Sequence, residues 1–276
     1  LVKYIHHRLE REKDEFVRAI KSAKESSTTP YLIFVCPASS TFLLDSPVIK
    51  DIFERFEEQI ADDLGRINGV HVVTPSDLFT YYPVENYYNS YTDKLGHIPY
   101  TPLFYTALGT MIVRRICAIL CSPYKAIILD CDQTLWSGIC GEDGTFGIKV
   151  DGARQKLQEF IIAQYNCGML ICLCSKNNEA DIIEVFESNP DMLLKREHIA
   201  SWRINWQAKS QNIKSLAEEL HLGMDSLIFL DDDPVECQEV QTNCPNVLVL
   251  QLPEKQDSIP SYLKNIWAFD HARNTE

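Results

Sequence analysis

Short runs of aliphatic and β-branched residues alternate with longer amphipathic segments along most of the chain. In the second half, strands are predicted at 125–130, 169–174, 227–231 and 246–250, and helices at 151–166, 178–188 and 207–221. Alternation of this kind is typical of a parallel sheet covered by helices, because each strand needs a crossover to reach the next. The predicted fold class is therefore α/β, with a Rossmann-like parallel sheet.

The first half shows a shorter version of the same alternation. Strands are predicted at 31–36 and 70–74, helices at 49–64 and 102–120, and a loop rich in Tyr, Asn and Pro at 80–100. We place a boundary near residue 122, in the CSPY segment. This gives a smaller N-terminal α/β scaffold domain at 1–122 and a catalytic domain at 123–276, with an exit linker from Pro253 to Pro260.

Composition excludes several classes of function. The net charge of −13 argues against nucleic-acid binding, which needs a basic surface. No apolar run approaches the roughly 20 residues that cross a bilayer, so we expect no membrane partner. The ten cysteines form no pair of CxxC motifs with zinc-site spacing. Reduced thiols in a cytoplasmic protein fit this pattern better than a disulfide framework.

Acidic side chains follow two of the predicted strands. KAIILD leads into Asp130 and Asp132, and LIFLD leads into Asp231 and Asp232. Functional groups gather at the carboxyl ends of strands in open parallel sheets. Carboxylates so close together repel each other unless a cation lies between them, and oxygen ligands suit Mg²⁺. We therefore predict a Mg²⁺ site formed by these four residues, in which two carboxylates also supply a nucleophile and an acid/base.

The other polar residues that follow strands suit a phosphorylated substrate. Lys209, at a predicted helix start, can neutralise a phosphoryl group and the acids around it. The residues predicted to bind substrate are Thr134, Ser175, Lys176, Asn177 and Arg203. The alternative is a purely structural role, in which the acids only cap helices or solvate strand ends. The ordered set favours a catalytic site: DxDxT, then Ser after an apolar strand, then Lys, then DD after another apolar strand.

Four segments resemble the FkbH-like branch of the haloacid dehalogenase superfamily: LDCDQTLWSGICGEDG, ICLCSKNNEADIIEVF, SWRINWQAKSQNI and LIFLDDDPVEC. TDKLGHIPYTPLFYTALGT, upstream of them, is similar to the region that precedes this module in glyceryltransferase members. The resemblance implies a haloacid dehalogenase-type fold. It also implies transfer of a glyceryl unit from 1,3-bisphosphoglycerate to the phosphopantetheine thiol of an acyl carrier protein, with loss of phosphate, in polyketide pathways.

Carried over by motif, the resemblance assigns a role to each site residue. Asp130 takes the phosphoryl group. Asp132 is the acid/base and offers a backbone carbonyl to the metal, and Asp231 and Asp232 hold Mg²⁺. Ser175 and Lys209 bind phosphate. These assignments are expectations about this chain until its geometry is known.

Acyl transfer also needs a thiol to form an enzyme thioester. Cys140, in the flap expected after the first strand of the second half, is the favoured carrier. Cys131, inside DxDxT, is the alternative, although strand alternation points it towards the core. Both could instead be small apolar fillers. A nearby cation or helix start would have to lower the thiol pKa. His97 is a candidate base for the thiol, although a structural histidine bonded to backbone is the favoured interpretation.

Two other functions remain open at this stage. The first is a phosphatase that hydrolyses a small phosphorylated metabolite through a phosphoaspartate and needs no thiol. The second is a non-enzymatic domain that docks a carrier protein, for which an intact set of acids and a lysine is unnecessary.

Overall fold

The computed structural model describes residues 2–39 and 47–270, with the side chain of residue 3 excepted. The chain divides into two units between Leu120 and Cys121. The division falls two residues before the boundary placed by sequence. That the two parts differ in role, as scaffold and catalytic domain, stays a prediction.

The first unit combines a two-stranded parallel sheet with five described helices. These elements are α1 (Val2–Glu25), β1 (Tyr31–Phe34), α2 (Pro47–Gly65), β2 (Val70–Val73), α3 (Pro75–Tyr81), α4 (Ser90–Gly96) and α5 (Pro102–Leu120). β1 and β2 pair in register from Tyr31 opposite Val70 to Phe34 opposite Val73. The long charged helix α1 was not predicted.

The loop predicted at 80–100 is wrong in part, because helix α4 forms inside it. The side chain of Asn89 accepts hydrogen bonds from the backbone N–H groups of Tyr91 and Thr92 and so caps the helix start. Asn is among the strongest N-caps, and the composition that suggested a loop also suits a short capped helix. The helix ends at His97, which adopts a left-handed conformation with φ of 55°.

Helix α5 supplies Phe104, Ala107 and Met111 to one apolar core of the first unit. By length and composition alone, it is the one helix in the described part of the chain that could cross a membrane. The evidence is weak, because core helices of soluble proteins pass the same test.

The second unit is built on a five-stranded parallel sheet. Its strands are β3 (Ala126–Leu129), β4 (Leu170–Ser175), β5 (Ile199–Ile204), β6 (Leu227–Asp231) and β7 (Leu248–Gln251), in the order β5-β4-β3-β6-β7. Its helices are α6 (Cys140–Asp143), α7 (Gly152–Asn166), α8 (Glu179–Ser188), α9 (Lys209–Glu219), α10 (Pro234–Asn243) and α11 (Ile259–Lys264). Strand β5, in the segment IASWRI, was not predicted.

Central strand β3 is buried on both faces, which explains its continuous apolar run. Ile127 and Leu129 enter one hydrophobic cluster, and Ala126 and Ile128 enter a second cluster on the opposite side. Covering both faces excludes water from the sheet and leaves its carboxyl edge for polar groups. Burial of each large aliphatic side chain contributes roughly 1.5–3 kcal/mol to the free energy of unfolding.

The segment predicted as an exit linker is part of the second unit. Ile259 and Leu263 of helix α11 are buried in the larger core cluster. Pro260 misled the prediction, because it lies in the first turn of the helix, where a proline costs little.

All ten cysteines lie in the described residues, and all are free thiols.

Candidate active site

Three carboxylates meet at the carboxyl edge of the central strands. Asp130 follows β3, Asp231 ends β6, and Asp232 comes next. β3 and β6 are hydrogen-bonded neighbours, which places these side chains side by side. One oxygen from each carboxylate lies within 4.8 Å of the others. Asp130 and Asp231 are only 6% and 1% exposed, so water screens their mutual repulsion poorly.

Lys209 is the cation that the structure supplies to this group, which we call the acid cluster (Asp130, Asp231 and Asp232). Its Nζ donates to Asp130 Oδ1 at 2.7 Å and to Asp231 Oδ2 at 2.5 Å. The ammonium is buried, and the two carboxylates raise its pKa above the usual value, so it stays charged. Three carboxylates and one ammonium leave two uncompensated negative charges when all four groups are ionised.

The pKa values of the acids report this imbalance. Burial raises the pKa of Asp130 from its usual 3.8 to about 7, and Asp231 adds to the rise while Lys209 opposes it. Burial also raises the pKa of Asp232. These acids therefore hold protons more readily than exposed carboxyls do, because burial penalises their charged forms and the charge of Asp231 adds to that penalty.

The turn after β6 is held by its own acids. Asp231 Oδ1 accepts the backbone N–H of Asp233 at 2.9 Å, and the side chain of Asp233 caps helix α10 by accepting from Val235. Thr134 Oγ1 donates to Asp232 Oδ1 at 3.0 Å. Thr134, predicted to bind substrate, therefore lies at the acid cluster and orients one of its members.

A left-handed residue brings the DxDxT segment back towards the sheet. Gln133 has a φ of 58°, which is uncommon for a residue other than glycine. Its carbonyl accepts from Nη2 of the buried Arg154 at 2.8 Å, and Nη1 of Arg154 pairs with Asp151 at 2.7 Å. This support holds the turn in place. Sequence analysis missed Arg154, which lies 21 residues from Gln133.

Asp132 lies beside the acid cluster but is not one of the three clustered carboxylates. Its Oδ1 accepts from Trp136 Nε1 at 2.9 Å and from the backbone N–H of Cys140 at 3.0 Å. Its Oδ2 accepts from Asn177 Nδ2 at 2.8 Å. These bonds commit most of the carboxylate's acceptor capacity. The expected metal ligand from Asp132 is its backbone carbonyl, and that assignment stays a prediction.

Ser175 and Asn177 meet the acids, as the sequence led us to expect. Ser175 is buried at the end of β4, where its hydroxyl helps to lower the pKa of Asp130, and Asn177 Nδ2 lies 3.5 Å from Ser175 Oγ. Lys176, between them, instead donates to Glu236 Oε1 at 2.6 Å. A substrate phosphate would have to compete with Glu236 for Lys176.

Helix α9, which carries Lys209, has no side-chain cap of its own, because Ala208 precedes it. Glu239 of helix α10 replaces the cap by accepting from the backbone N–H of Ser210 at 3.1 Å and from its Oγ at 2.5 Å. This clamp fixes the first turn of α9 and thereby Lys209. Sequence analysis missed it, because no local motif links residues 29 positions apart.

The two candidate thiols are buried in surroundings that oppose ionisation. Burial, followed by the charge of Asp132, raises the pKa of Cys140 to about 11. The pKa of Cys131 lies well above its ordinary value, again through burial first and then Asp130. Cys131 packs in the larger core cluster. Cys140 is the first residue of the short helix α6, but its thiol pKa is raised all the same, so the predicted lowering of the thiol pKa is found at neither position.

Arg203 makes other contacts within the second unit, and His97 belongs to the first unit. Arg203 donates to Ser215 at 3.0 Å and pairs with Glu219 at 2.6 Å, so these side-chain bonds hold it to helix α9 and not to the acid cluster. His97 belongs to the first unit, where it ends helix α4 and is exposed. Substrate binding by Arg203 and thiol activation by His97 stay predictions.

One solved structure resembles the chain over nearly its whole length. It is the N-terminal part of BF1531 from Bacteroides fragilis, described as containing a phosphatase domain complexed with Mg. The TM-score is 0.80 at 24% identity, and the match covers 98% of this chain and 76% of that one. Likeness at this identity shows the fold alone. The chain thus has the predicted α/β fold, with a Rossmann-like parallel sheet.

Two further structures match about half of the chain. The haloacid dehalogenase domain of the effector Lem4 from Legionella pneumophila has a TM-score of 0.38 at 17% identity, covering 51% of this chain and 92% of its own. A magnesium complex of BT-2542 from Bacteroides thetaiotaomicron has a TM-score of 0.36 at 12% identity, covering 49% and 96%. Scores of this size carry no argument about the fold. No family model matches the chain, and no curated protein matches it significantly.

Proposed function

We propose that the second unit is a Mg²⁺-dependent phosphatase that transfers a phosphoryl group to Asp130. The observation that carries the proposal is the acid cluster, in which three carboxylates and the buried ammonium of Lys209 leave two negative charges at one sheet edge. A purely structural cluster has no need of this excess negative charge. A site that binds a divalent cation needs it, and the bound cation can then hold a phosphate.

The donors present fit Mg²⁺. All are oxygens, which Mg²⁺ prefers, and its two charges balance the two left by the cluster. Asp130 Oδ1 and Asp231 Oδ2 accept from Lys209, and Asp232 Oδ1 accepts from Thr134. The Oδ2 atoms of Asp130 and Asp232 would therefore be the oxygens that hold the cation. When bound, Mg²⁺ would draw charge from the phosphoryl oxygens and hold them against Asp130. The similar Bacteroides fragilis structure is described with Mg, which supports this choice of metal.

The chain's own residues supply the other parts of the reaction. An oxygen of Asp130 attacks phosphorus, and the bond from phosphorus to the leaving oxygen breaks with its electron pair going to that oxygen. Asp132 gives that oxygen a proton. In the second half, Asp132 takes a proton from water as the water oxygen attacks the phosphoaspartate, which releases inorganic phosphate and restores Asp130. Lys209 and Ser175 are placed to hold the phosphate oxygens.

Release of inorganic phosphate from p-nitrophenyl phosphate tests this proposal. We expect turnover with MgCl₂, loss of turnover with EDTA, and recovery when Mg²⁺ is restored. Asp130→Asn should abolish turnover, because the amide is not a nucleophile. Asp257→Asn, which removes an exposed carboxylate from the same unit, is the matched control and should keep full activity. Equal activity in the two variants would refute the role of Asp130.

A second candidate function is glyceryl transfer from 1,3-bisphosphoglycerate to an acyl carrier protein, as the sequence resemblance implies. The observation in its favour is that Cys140 contacts the acid/base residue, since its backbone N–H donates to Asp132. Its raised thiol pKa weighs against it, because a thioester needs a thiolate. We therefore rank it second.

Intact-mass measurement separates the two candidates. The chain is incubated with Mg²⁺, 1,3-bisphosphoglycerate and a carrier protein bearing phosphopantetheine. Glyceryl transfer predicts a glyceryl adduct on the chain that is lost in Cys140→Ala and kept in Cys167→Ala, which removes an exposed thiol. If phosphatase activity persists in Cys140→Ala and no acylated carrier protein forms, glyceryl transfer is excluded and phosphatase activity stands as the function.

A further inference from the structure

Trp136 makes a polar contact that hydrophobic packing alone does not explain. Its side chain is fully buried, and its indole Nε1 donates to Asp132 Oδ1 at 2.9 Å. The ring also packs against Phe186, with centroids 6.3 Å apart. A buried tryptophan usually finds an acceptor for its N–H, most often a backbone carbonyl or other neutral group. Here the acceptor is the residue to which the proposed function gives the proton-transfer step.

The bonds to Asp132 are unequal on its two oxygens. Oδ1 accepts from both Trp136 and the backbone of Cys140, whereas Oδ2 accepts from Asn177 alone. A carboxylate offers about four acceptor directions, two on each oxygen. Oδ1 is therefore saturated, and one direction is left on Oδ2. A proton carried by Asp132 has to lie on Oδ2.

We propose that Trp136 is a positioning residue that confines the transferable proton of Asp132 to Oδ2. The proposal rests on the proposed function, in which Asp132 is the acid/base. Without the indole N–H, one acceptor direction on Oδ1 becomes free. The proton then divides between two oxygens, and the carboxyl group can rotate away from the leaving oxygen. Proton transfer is slowed, while nucleophilic attack by Asp130 is left intact.

The dependence on the leaving group separates this role from packing. Breakage of the phosphorus–oxygen bond places an electron pair on the leaving oxygen. An alkoxide needs the proton of Asp132 at that moment, whereas a p-nitrophenolate is stable without it. Loss of positioning therefore slows alkyl phosphates far more than p-nitrophenyl phosphate. A defect in packing lowers kcat/KM for both substrates by the same factor.

The test compares kcat/KM of the Mg²⁺-loaded chain on p-nitrophenyl phosphate and on a simple alkyl phosphate. For Trp136→Phe we expect a loss of about tenfold or more on the alkyl phosphate and of less than about threefold on p-nitrophenyl phosphate, as expected for one missing bond to a charged group. Trp202→Phe is the matched control, because it removes an indole bond of 3.0 Å to the carboxylate of Glu179. It should not change the ratio of the two rates.

A second substitution at position 136 distinguishes loss of the indole N–H from misfolding of Trp136→Phe. Benzothienylalanine at position 136 keeps the shape of the ring, with sulfur in place of N–H, and should reproduce the selective loss. Equal losses on both substrates, or none, with either replacement would overturn the role of Trp136. If the unaltered chain hydrolyses neither substrate, the proposed function itself fails.

Discussion

Replacement of Lys209 by Met tests the electrostatics of the acid cluster without assuming any substrate. Lys209 Nζ is the cation between Asp130 and Asp231, and it is nearly fully buried. Methionine keeps much of the length and apolar volume of the side chain. The substitution therefore removes the charge and two hydrogen bonds and leaves little cavity. Three carboxylates then share one edge of the sheet with no cation.

The expected cost is large, because removal of one partner from a buried ion pair destabilises a protein by about 3–5 kcal/mol. The cost also depends on pH. Lys209 lowers the pKa of Asp130, which is about 7 in its presence, so its loss raises that pKa further. A carboxyl whose pKa is raised by folding contributes most stability when protonated and loses it as pH rises from its unfolded to its folded pKa. The loss of stability through Asp130 should therefore level off near pH 7 in the unaltered chain and continue above about pH 7 in Lys209→Met.

Urea denaturation in EDTA measures these free energies. Lys156→Met is the matched control, because Lys156 also pairs at 2.7 Å, with Glu159, but on an exposed helix surface. That change should cost less than about 1 kcal/mol, as exposed pairs do. Addition of MgCl₂ should restore part of the stability of Lys209→Met and none of that of Lys156→Met. Equal costs for the two substitutions, or a cost independent of pH, would refute the charge argument.

Three other predictions concern stability. Saturating MgCl₂ should raise the melting temperature of the unaltered chain, measured by scanning calorimetry, by about 5–10 °C, which corresponds to about 2.7 kcal/mol at a hundredfold excess over Kd. The same rise in Asp231→Asn would contradict the metal site. Burial and the charge of Glu54 raise the pKa of Glu57 to about 7. Glu57→Gln should therefore have a higher urea midpoint of unfolding than the unaltered chain at about pH 8, and a similar midpoint at about pH 5. The reverse order of midpoints would be inconsistent with the raised pKa. The buried side chain of Gln158 accepts two backbone N–H bonds of 2.9 Å and donates one of 2.8 Å to a carbonyl. Gln158→Leu should lower the free energy of unfolding, measured by urea denaturation, by about 3 kcal/mol or more, because each buried group left unpaired costs about 1–3 kcal/mol.

The fold could be predicted where local pattern and tertiary environment agree. Strand β6 of the second unit and helix α5 of the first have the predicted bounds, because each is a mainly apolar segment between turn-forming residues. Strand β5 was missed because IASWRI carries Trp and Arg, and the apolar parts of these side chains pack at the edge of the sheet while their polar ends bond elsewhere. Helix α1 was missed because it is strongly charged, and its apolar positions make contacts only in the folded unit.

The site could be predicted as far as strand ends determine it. Asp130, Asp231 and Ser175 meet because three adjacent parallel strands carry them to one edge. The sequence could not show which side chains donate hydrogen bonds to the carboxylate oxygens of Asp132. Trp136 lies only four residues from Asp132, and the need of a buried indole for an acceptor was the signal available. The thiol environment was unpredictable, because the acids that raise the pKa of Cys140 include residues of helix α8, about 40 positions away along the chain.

The central claim is that Asp130 accepts a phosphoryl group in a Mg²⁺-dependent step, and trapping that group tests it most directly. The chain is incubated with a phosphate ester, quenched in acid, reduced with borohydride and digested, and the peptides are analysed by mass spectrometry. We predict that Asp130 is converted to homoserine when Mg²⁺ is present and is unchanged in EDTA. Conversion at a different carboxylate, or phosphate release with no conversion at Asp130 under any quench time, would contradict the account.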